Sequence, residues 1–262
     1  MKKRMILVVI TIILFATAFV CTVVFAFAAR TARNELYEYD SVQQHYTTVF
    51  QPLFEGSDMD SVVSETDRLS RVEVDFHELL HANAETVGWI AIPDTVISYP
   101  VMQAKNNSKY LSTSFTGKPS GTGTPFIDKD NSIRTLDANT IIYGHNMGTG
   151  RSDIFSSLLL YKGYDYFSTH RYIQFDTIYA QGWWKVMAVV EYTMRSEEFS
   201  YLRLKFGSDE ELLDWTIHAR QLSIHDTDMD ISAGDNILTL STCDKSRYGR
   251  YGRLLIMAMQ IK

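Results

Sequence analysis

An uncharged apolar segment near the start of the chain places the strongest constraint on the fold. Residues 5–29 (MILVVITIILFATAFVCTVVFAFAA) are 25 consecutive residues without a charged side chain. About 20 apolar residues are enough for a helix to cross a bilayer, and in lipid a helix satisfies all of its own backbone hydrogen bonds. The segment is therefore predicted to be a transmembrane helix, preceded by a cytoplasmic tail of residues 1–4.

The charges that flank this segment indicate its orientation. Three basic residues at positions 2–4 precede it, whereas Arg30 and Arg33 follow it together with several acidic residues. Because basic residues favour the cytoplasmic side, we expect a single-pass protein with its N-terminus in the cytoplasm. A cleaved signal peptide is the alternative, since Ala-Phe-Ala at 26–28 has the small-x-small pattern, but the apolar region of a signal peptide runs only about 7–15 residues.

Charge and cysteine content limit what the outer part of the chain can do. After residue 29 it carries 22 Lys and Arg against 31 Asp and Glu, a net charge of −9, which argues against nucleic acid as a partner. Cys21 lies within the apolar segment, so Cys243 is the only thiol outside it. An unpaired thiol in an oxidising compartment is either reactive or buried and inert, and the count leaves both open.

Short apolar segments bounded by turn residues dominate the chain from residue 88 onward. Their β-branched and aromatic residues predict strands, and so many strands together predict a mainly β fold that forms a closed barrel or a sandwich. The eight segments are GWIAIP (88–93), ISYPVM (97–102), TPFID (124–128), NTIIYGH (139–145), RYIQFDT (171–177), GWWKVMAVVEYTM (182–194), NILTLSTC (236–243) and RLLIMAMQIK (253–262).

Helices are predicted before and between these strands. Residues 67–84 place Leu69, Phe76 and Leu80 at helical spacing. In a later segment Ser208 is placed as an N-cap with Glu211 three residues on, which is a capping box. The predicted helical segments are 31–50 (as a stalk or first helix), 67–84, 152–162 and 208–222.

Residues 77–81 read HELLH, the H-E-x-x-H pattern of zinc peptidases. On a helical wheel His77 and His81 lie about 110–150° from the centre of the apolar stripe. A catalytic zinc site needs both histidines directed into a cleft, together with a third protein ligand. The pattern therefore predicts two surface histidines and no metal site.

A second constellation joins three separated strand ends. NILTLSTC ends at Cys243, a nine-residue loop follows, and the next strand begins at Arg253, so a hairpin would bring these two residues together. His145 stands just past the end of NTIIY. A neighbouring histidine and a cation favour the thiolate form of a cysteine, and an arginine can hold a developing oxyanion.

Each of these residues also has a structural interpretation. A histidine at a strand end often serves the fold, and an arginine that opens a strand is usually a solvated edge charge. Arg247 and Arg250 compete with Arg253 for the same role, and spacing alone does not exclude them.

These motifs resemble those of the sortases, the cysteine transpeptidases of Gram-positive surfaces. The resemblance rests on TLSTC (239–243), Gly252-Arg253 and YGHN (143–146), and extends through residues 87–103, 106–128 and 143–162, so that it covers about 67–262. It implies an eight-stranded sortase-type β-barrel with N-terminal helices. The helix between the sixth and seventh strands makes the chain most similar to class B sortases.

The resemblance implies a mechanism and a location. Cys243 would attack the carbonyl of the threonine in a C-terminal sorting motif of a secreted protein, forming a thioacyl intermediate. His145 would act as general acid and then as general base, and Arg253 would position the motif and stabilise the oxyanion. The acyl group would pass to an amine of a peptidoglycan cross-bridge or of a pilin lysine. The catalytic domain would be extracellular, on the cell membrane of a Gram-positive bacterium.

The same resemblance suggests residues that contact the sorting motif, and it implies neither a cofactor nor a metal. The suggested substrate-binding residues are Asn107, Leu111, Tyr143, Tyr201, Leu202 and Ser241. The predicted organisation is a cytoplasmic tail (1–4), a transmembrane anchor (5–29), an extracellular helical or stalk segment (30–66) and a catalytic domain (67–262).

Two other functions compete with that of a sortase. An L,D-transpeptidase also places histidine before cysteine, but its cysteine normally follows His-Gly and precedes an arginine by two positions. Here Ser241 and Thr242 precede Cys243, and position 245 is Lys. A non-catalytic anchored binding module would keep the barrel without needing Cys243, His145 and Arg253 together.

Overall fold

A long apolar helix begins the chain in a computed structural model of the protein. Helix α1 spans Lys2–Tyr46, and its most apolar 18-residue window has a mean hydropathy of 2.9. Its apolar side chains, such as those of Phe15, Phe25 and Phe27, are exposed. By length and composition α1 could cross a membrane, a test that a signal sequence near an N-terminus also passes.

The structure describes residues 2–50, 66, 69–148, 151, 153–227 and 229–261. The chain divides after Val42 into two compact units, Met1–Val42 and Gln43–Lys262. Residues 51–65 of the predicted helical or stalk segment 30–66 lie outside the described residues. The functional boundaries after residues 4, 29 and 66 stay predictions.

Eight strands close into a barrel in the order β10-β8-β7-β3-β4-β5-β6-β9. Every predicted apolar segment overlaps one of these strands, and the closed barrel rather than the sandwich is the observed fold. Two neighbouring pairs, β4–β5 and β6–β9, are parallel, whereas the other pairs are antiparallel. The strands are β3 (Thr86–Ala91), β4 (Ser98–Met102), β5 (Phe126–Ile127), β6 (Asn139–Tyr143), β7 (Tyr172–Thr177), β8 (Trp183–Thr193), β9 (Ile237–Cys243) and β10 (Gly252–Gln260).

The helix predicted over 67–84 is wrong in its first half. Arg71–Val74 form strand β2, which pairs antiparallel with β1 (Thr47–Phe50) beside the barrel. Helix α2 spans only Phe76–Ala82, because the Asp75 side chain caps its start and the Asn83 backbone is extended. The β-branched residues within 71–74 favour a strand, and their pairing with β1 could not be inferred from helical spacing. Within the predicted helical segment 31–50, helix α1 ends at Tyr46 because strand β1 begins at the next residue.

Side chains of the barrel hold the paired strands β1 and β2 in place. The buried amide of Gln174 accepts from the backbone N–H of Val72 at 2.8 Å and donates to its carbonyl at 2.6 Å, as a neighbouring strand would. Arg71 forms an ion pair at 2.7 Å with Asp176, whose side chain is 2% exposed. Burial raises the pKa of Asp176 above its usual value, although Gln174 and Arg71 oppose the shift.

The remaining helices lie between barrel strands. In place of the helix predicted over 152–162, the structure has a shorter 3₁₀ helix, Ser156–Lys162. It does not start earlier because Ile154 has a φ of 52°, which a helix cannot contain. Ser152 lies outside the described residues. Helix α4 (Asp209–Gln221) confirms Ser208 as N-cap, since Ser208 accepts from the N–H of Glu211, but the Glu211 carboxylate accepts from the N–H of Gly207 and not from that of Ser208, so only half of the predicted capping box forms. The other helices are α3 (Tyr164–Thr169), α5 (Lys245–Tyr248), and the 3₁₀ turns Lys109–Leu111 and Gly249–Tyr251.

We predict that Arg71→Met destabilises the fold. The substitution leaves the Asp176 carboxylate buried without its cation, which costs about 3 kcal/mol. Urea unfolding of the full-length chain in detergent measures the loss. Lys118→Met, which removes one charge from an exposed side chain, is the control. Arg71→Met combined with Asp176→Asn should recover part of the loss, whereas equal midpoints for Arg71→Met and Lys118→Met would contradict the role of the ion pair.

Candidate active site

A cavity of about 590 Å³ opens at the barrel rim where β6 and β9 end. All nine residues predicted for the site line it: Asn107, Leu111, Tyr143, His145, Tyr201, Leu202, Ser241, Cys243 and Arg253. The lining also includes Phe126, Asp128, Asp130, Gly144, Met194, Leu204 and Thr242. Residues separated by more than 140 positions in the sequence therefore face one space.

The parallel pairing of β6 with β9 brings His145 and Cys243 to the same edge. Tyr143 is the partner of Ser241 in this register, and each functional residue stands two positions further along its own strand direction. Beyond the register, the Thr242 hydroxyl donates to the Gly144 carbonyl at 2.8 Å, and the Asn146 amide donates to the Cys243 carbonyl at 2.8 Å. These bonds extend the contact between the two chain segments past the strand ends.

Close packing beneath His145 requires the glycine that precedes it. A Cβ on Gly144 would lie 2.5 Å from the ring of Phe155, which is fully buried. The backbone N–H of Phe155 donates to the His145 carbonyl at 3.0 Å. The imidazole Nε2 lies 2.8 Å from the Leu111 carbonyl, which can only accept, so Nε2 carries the hydrogen and Nδ1 is left to exchange a proton.

Arg253 is the arginine that the structure brings to Cys243. The two residues are direct partners in the β9–β10 register. Its Nη1 donates to the carbonyl of Gly252 at 2.8 Å, and no described carboxylate forms an ion pair with it. The competitors point elsewhere, because Arg247 pairs with Glu191 at 2.9 Å and neither it nor Arg250 lines the cavity.

A charged cluster supports the loop between Cys243 and Arg253. The Lys162 ammonium lies 2.5 Å from the Asp244 carboxylate and 2.7 Å from that of Glu191, and it also donates to Ser246. Burial of Asp244 favours its neutral form, but bonds from Lys162 and Ser246 outweigh burial and hold the pKa of Asp244 below its usual value. Asp244, the residue after Cys243, is thus ionised, and the Lys162 ammonium balances its charge.

One wall of the cavity is formed by residues 199–204. The buried Asn139 amide donates to the carbonyls of Tyr201 at 2.8 Å and Arg203 at 2.9 Å, and the Trp215 indole of α4 donates to Ser200 at 2.9 Å. The Tyr201 side chain is buried, accepts from the Ser241 hydroxyl at 3.2 Å, and has its pKa raised chiefly by burial. Leu202, 43% exposed, presents an apolar side chain to the opening.

The opposite wall contains a residue that sequence reasoning missed. Asp128 is 8% exposed and bonds to both Asn107 and Tyr143, each at 2.8 Å. It directly follows β5 and is the last residue of the predicted strand segment TPFID (124–128), and this place at a strand end was the signal that could have marked it as a rim residue. Leu204 and Met194 were also missed, because loop apolar residues carry no pattern that distinguishes a binding wall from ordinary packing.

The HELLH histidines lie away from this cavity lining. The His77 side chain is 88% exposed, and His81 is exposed too, as the helical wheel predicted. Among the described residues no group of three or more His, Cys, Asp or Glu side chains is arranged to hold a metal ion. Cys243, by contrast, is partly exposed at the cavity, so it is not the fully buried thiol of the inert interpretation.

Comparisons with known proteins agree on one family. No protein-family model matches the sequence. Sortase B of Listeria monocytogenes is 30% identical over 233 residues, which are 89% of this chain and 90% of the relative. Sortase B of Staphylococcus aureus is 30% identical over 191 residues, 73% of this chain and 76% of the relative.

Solved structures give the same result. Sortase B from Bacillus anthracis has a TM-score of 0.70 and 29% identity, covering 89% of this chain and 99% of that one. A Staphylococcus aureus sortase B–substrate complex has a TM-score of 0.70 and 25% identity with the same coverage.

The eight-stranded barrel with these relatives defines a cysteine transpeptidase of the sortase fold. The chain belongs to the class B sortases. This membership favours a sortase-type transpeptidase over the two alternatives, an L,D-transpeptidase and a non-catalytic binding module.

We predict that Gly252→Ala lowers the rate of peptide cleavage by about a hundredfold, since a displacement of about 1 Å at reacting groups costs that much. A Cβ on Gly252 would lie 1.9 Å from the Asp244 carbonyl oxygen, which forces apart the segments that carry Cys243 and Arg253. The measurement is the cleavage rate of a fluorogenic sorting peptide. Gly163→Ala is the matched control, because its nearest atom would be 3.4 Å away. Equal rates for both variants would contradict this close approach.

Proposed function

We propose that this class B sortase cleaves a C-terminal sorting motif of secreted proteins after threonine and transfers the acyl group to an amine. Cys243 is the nucleophile, His145 the general acid and base, and Arg253 the cation that stabilises the oxyanion. The observation that carries the proposal is the single cavity lined by all three side chains.

The chemistry proceeds in two halves. The Cys243 thiolate attacks the threonine carbonyl carbon, and the resulting oxyanion is held by Arg253. The carbon–nitrogen bond then breaks, the leaving amine takes a proton from His145, and a thioester remains. An incoming amine attacks the thioester, gives its proton to His145, and displaces the thiolate. Nδ1 of His145 is the nitrogen that exchanges this proton, since Nε2 donates to Leu111.

Two features of the arrangement favour this chemistry. The guanidinium of Arg253 is fixed by main-chain carbonyls, and no described carboxylate neutralises it, so its charge is available to an oxyanion. Cys243 is partly exposed and next to this cation in the strand register, so an oxyanion formed by attack of its sulfur would arise beside the guanidinium.

The substrate is an extended peptide from a secreted protein. A Staphylococcus aureus relative has been solved as a substrate complex, which supports a sorting-motif substrate for this chain as well. Asn107, Leu111, Tyr143, Tyr201, Leu202 and Ser241 are proposed to contact the motif. The accepting amine belongs to a peptidoglycan cross-bridge or to a pilin lysine.

The proposed location matches this substrate. Residues 5–29 anchor the protein in the cell membrane of a Gram-positive bacterium, with the N-terminus in the cytoplasm and the catalytic domain outside. The length and hydropathy of α1 support a membrane span, and the three basic residues at positions 2–4 support the orientation. The enzyme would then stand where secreted proteins emerge.

We predict that Arg253→Ala lowers kcat/KM for a sorting peptide by about two to three orders of magnitude, the cost of removing one oxyanion donor. Arg250→Ala should cost much less, because the Arg250 side chain contacts Tyr251 and does not line the cavity. Fluorogenic cleavage by the full-length chain in detergent measures both. A larger loss in Arg250→Ala would reassign the role to that arginine.

The same assay contains two reference variants. Cys243→Ala should abolish cleavage, and wild-type cleavage by this variant would refute the mechanism. The double variant His77→Ala/His81→Ala changes two exposed side chains of α2 and should cleave like the wild type, with or without a chelator. Loss of activity with a chelator and its restoration by zinc would instead support the HELLH motif as a metal site.

A further inference from the structure

Asp128 is a buried acid of the cavity wall that the proposed mechanism does not use. Its side chain makes three hydrogen bonds. One carboxylate oxygen, Oδ2, accepts from the Tyr143 hydroxyl at 2.8 Å and from the Asn107 amide at 2.8 Å. The other oxygen, Oδ1, accepts from the backbone N–H of Asp130 at 3.0 Å.

This bonding pattern uses both oxygens of the Asp128 side chain as acceptors. Both oxygens accept hydrogen bonds, whereas an amide of the same shape would offer one acceptor and one donor. No described cation forms an ion pair with Asp128, since the neighbouring Lys129 ammonium pairs with Asp130 at 2.5 Å. The negative charge of Asp128 is therefore balanced by polar donors, two of which belong to side chains lining the cavity.

The orientation of the Asn107 amide follows from this contact. Its oxygen accepts from the backbone N–H of Lys129 at 2.7 Å, while its nitrogen donates to Asp128. Both ends of the amide are thus assigned, and a rotation by 180° would place a donor against a donor at Lys129. One N–H of the Asn107 amide is left for a ligand.

The Tyr143 hydroxyl is fixed in the opposite sense. It has one hydrogen, which it donates to Asp128, so only its lone pairs are left for a ligand. Burial, followed by the bond to Asp128, raises the pKa of Tyr143 well above its usual value, which keeps the hydroxyl protonated. Its ring packs against Phe126 with centroids 5.3 Å apart.

We propose that Asp128 is a positioning residue for substrate binding, which holds Asn107 as a hydrogen-bond donor and Tyr143 as an acceptor on one wall of the cavity. A donor beside an acceptor matches the carbonyl and N–H of an amide group in a bound peptide. Asp128 acts through these two residues and does not touch the reacting atoms. The inference rests on the proposed function, because the ligand is the sorting peptide of that reaction.

The first test is Asp128→Asn in the full-length chain. The probe is the peptide that the wild type cleaves fastest in a library with threonine fixed at the cleavage position. We expect kcat/KM to fall about tenfold or more, through KM rather than kcat, because a buried donor loses its acceptor. The rate at which a small methanethiosulfonate reagent labels Cys243 should stay unchanged, since that reagent needs no peptide site.

A double-mutant cycle distinguishes positioning from a general structural effect. If Asp128 acts through Asn107, then Asp128→Asn should cost markedly less in a chain that already carries Asn107→Ala. The same reduction is expected with Tyr143→Phe. Asp214→Asn, which changes an equal charge on the exposed side of α4, is the control and should leave KM unchanged. Additive losses in both cycles would overturn the positioning role.

A second variant keeps the test valid if Asp128→Asn does not fold. Asp128→Glu retains the charge but moves both acceptor oxygens by one methylene, so its KM should also be higher than that of the wild type. A KM equal to that of the wild type would overturn the proposal. The failure of the proposed function gives a different result. In that case the wild-type chain cleaves no member of the library, whereas failure of the positioning role leaves wild-type cleavage intact.

Discussion

The parallel pairing of β6 with β9 is the constraint on which the site depends. Parallel strands end at the same edge of a sheet, so the segments that follow them must meet. Here those segments are Gly144-His145 and Thr242-Cys243, and their register is set by the pair Tyr143 and Ser241. The antiparallel strand β10 then starts at this edge and adds Arg253 opposite Cys243.

The surroundings of this edge keep its chain segments close. Gly144 permits contact with the Phe155 ring, and Gly252 permits contact with the Asp244 carbonyl. The Lys162 cluster neutralises Asp244 beside the nucleophile, while Asp128 orients polar side chains on the opposite wall. Rigid support of this kind lets a site hold its geometry before substrate arrives.

Sequence patterns predicted the eight strands, the capped helix α4 and the meeting of Cys243 with Arg253 across a short loop, because these depend on local periodicity or chain proximity. They failed for Arg71–Val74, whose strand partner β1 is remote in sequence. The side-chain contacts of Asp128 and Lys162 could not be predicted either, since they join residues up to 84 positions apart. The resemblance supplied the choice of His145, which spacing alone left open.

The measurement that tests the central claim most directly is the intact mass of the full-length protein during turnover. The chain is incubated with a cleavable sorting peptide, without an acceptor amine, and quenched in acid. We predict an added mass equal to the peptide up to its threonine, located on Cys243 and released by hydroxylamine, as expected for a thioester. Cleavage without any adduct in rapid-quench samples, or an adduct on another residue, would contradict the account.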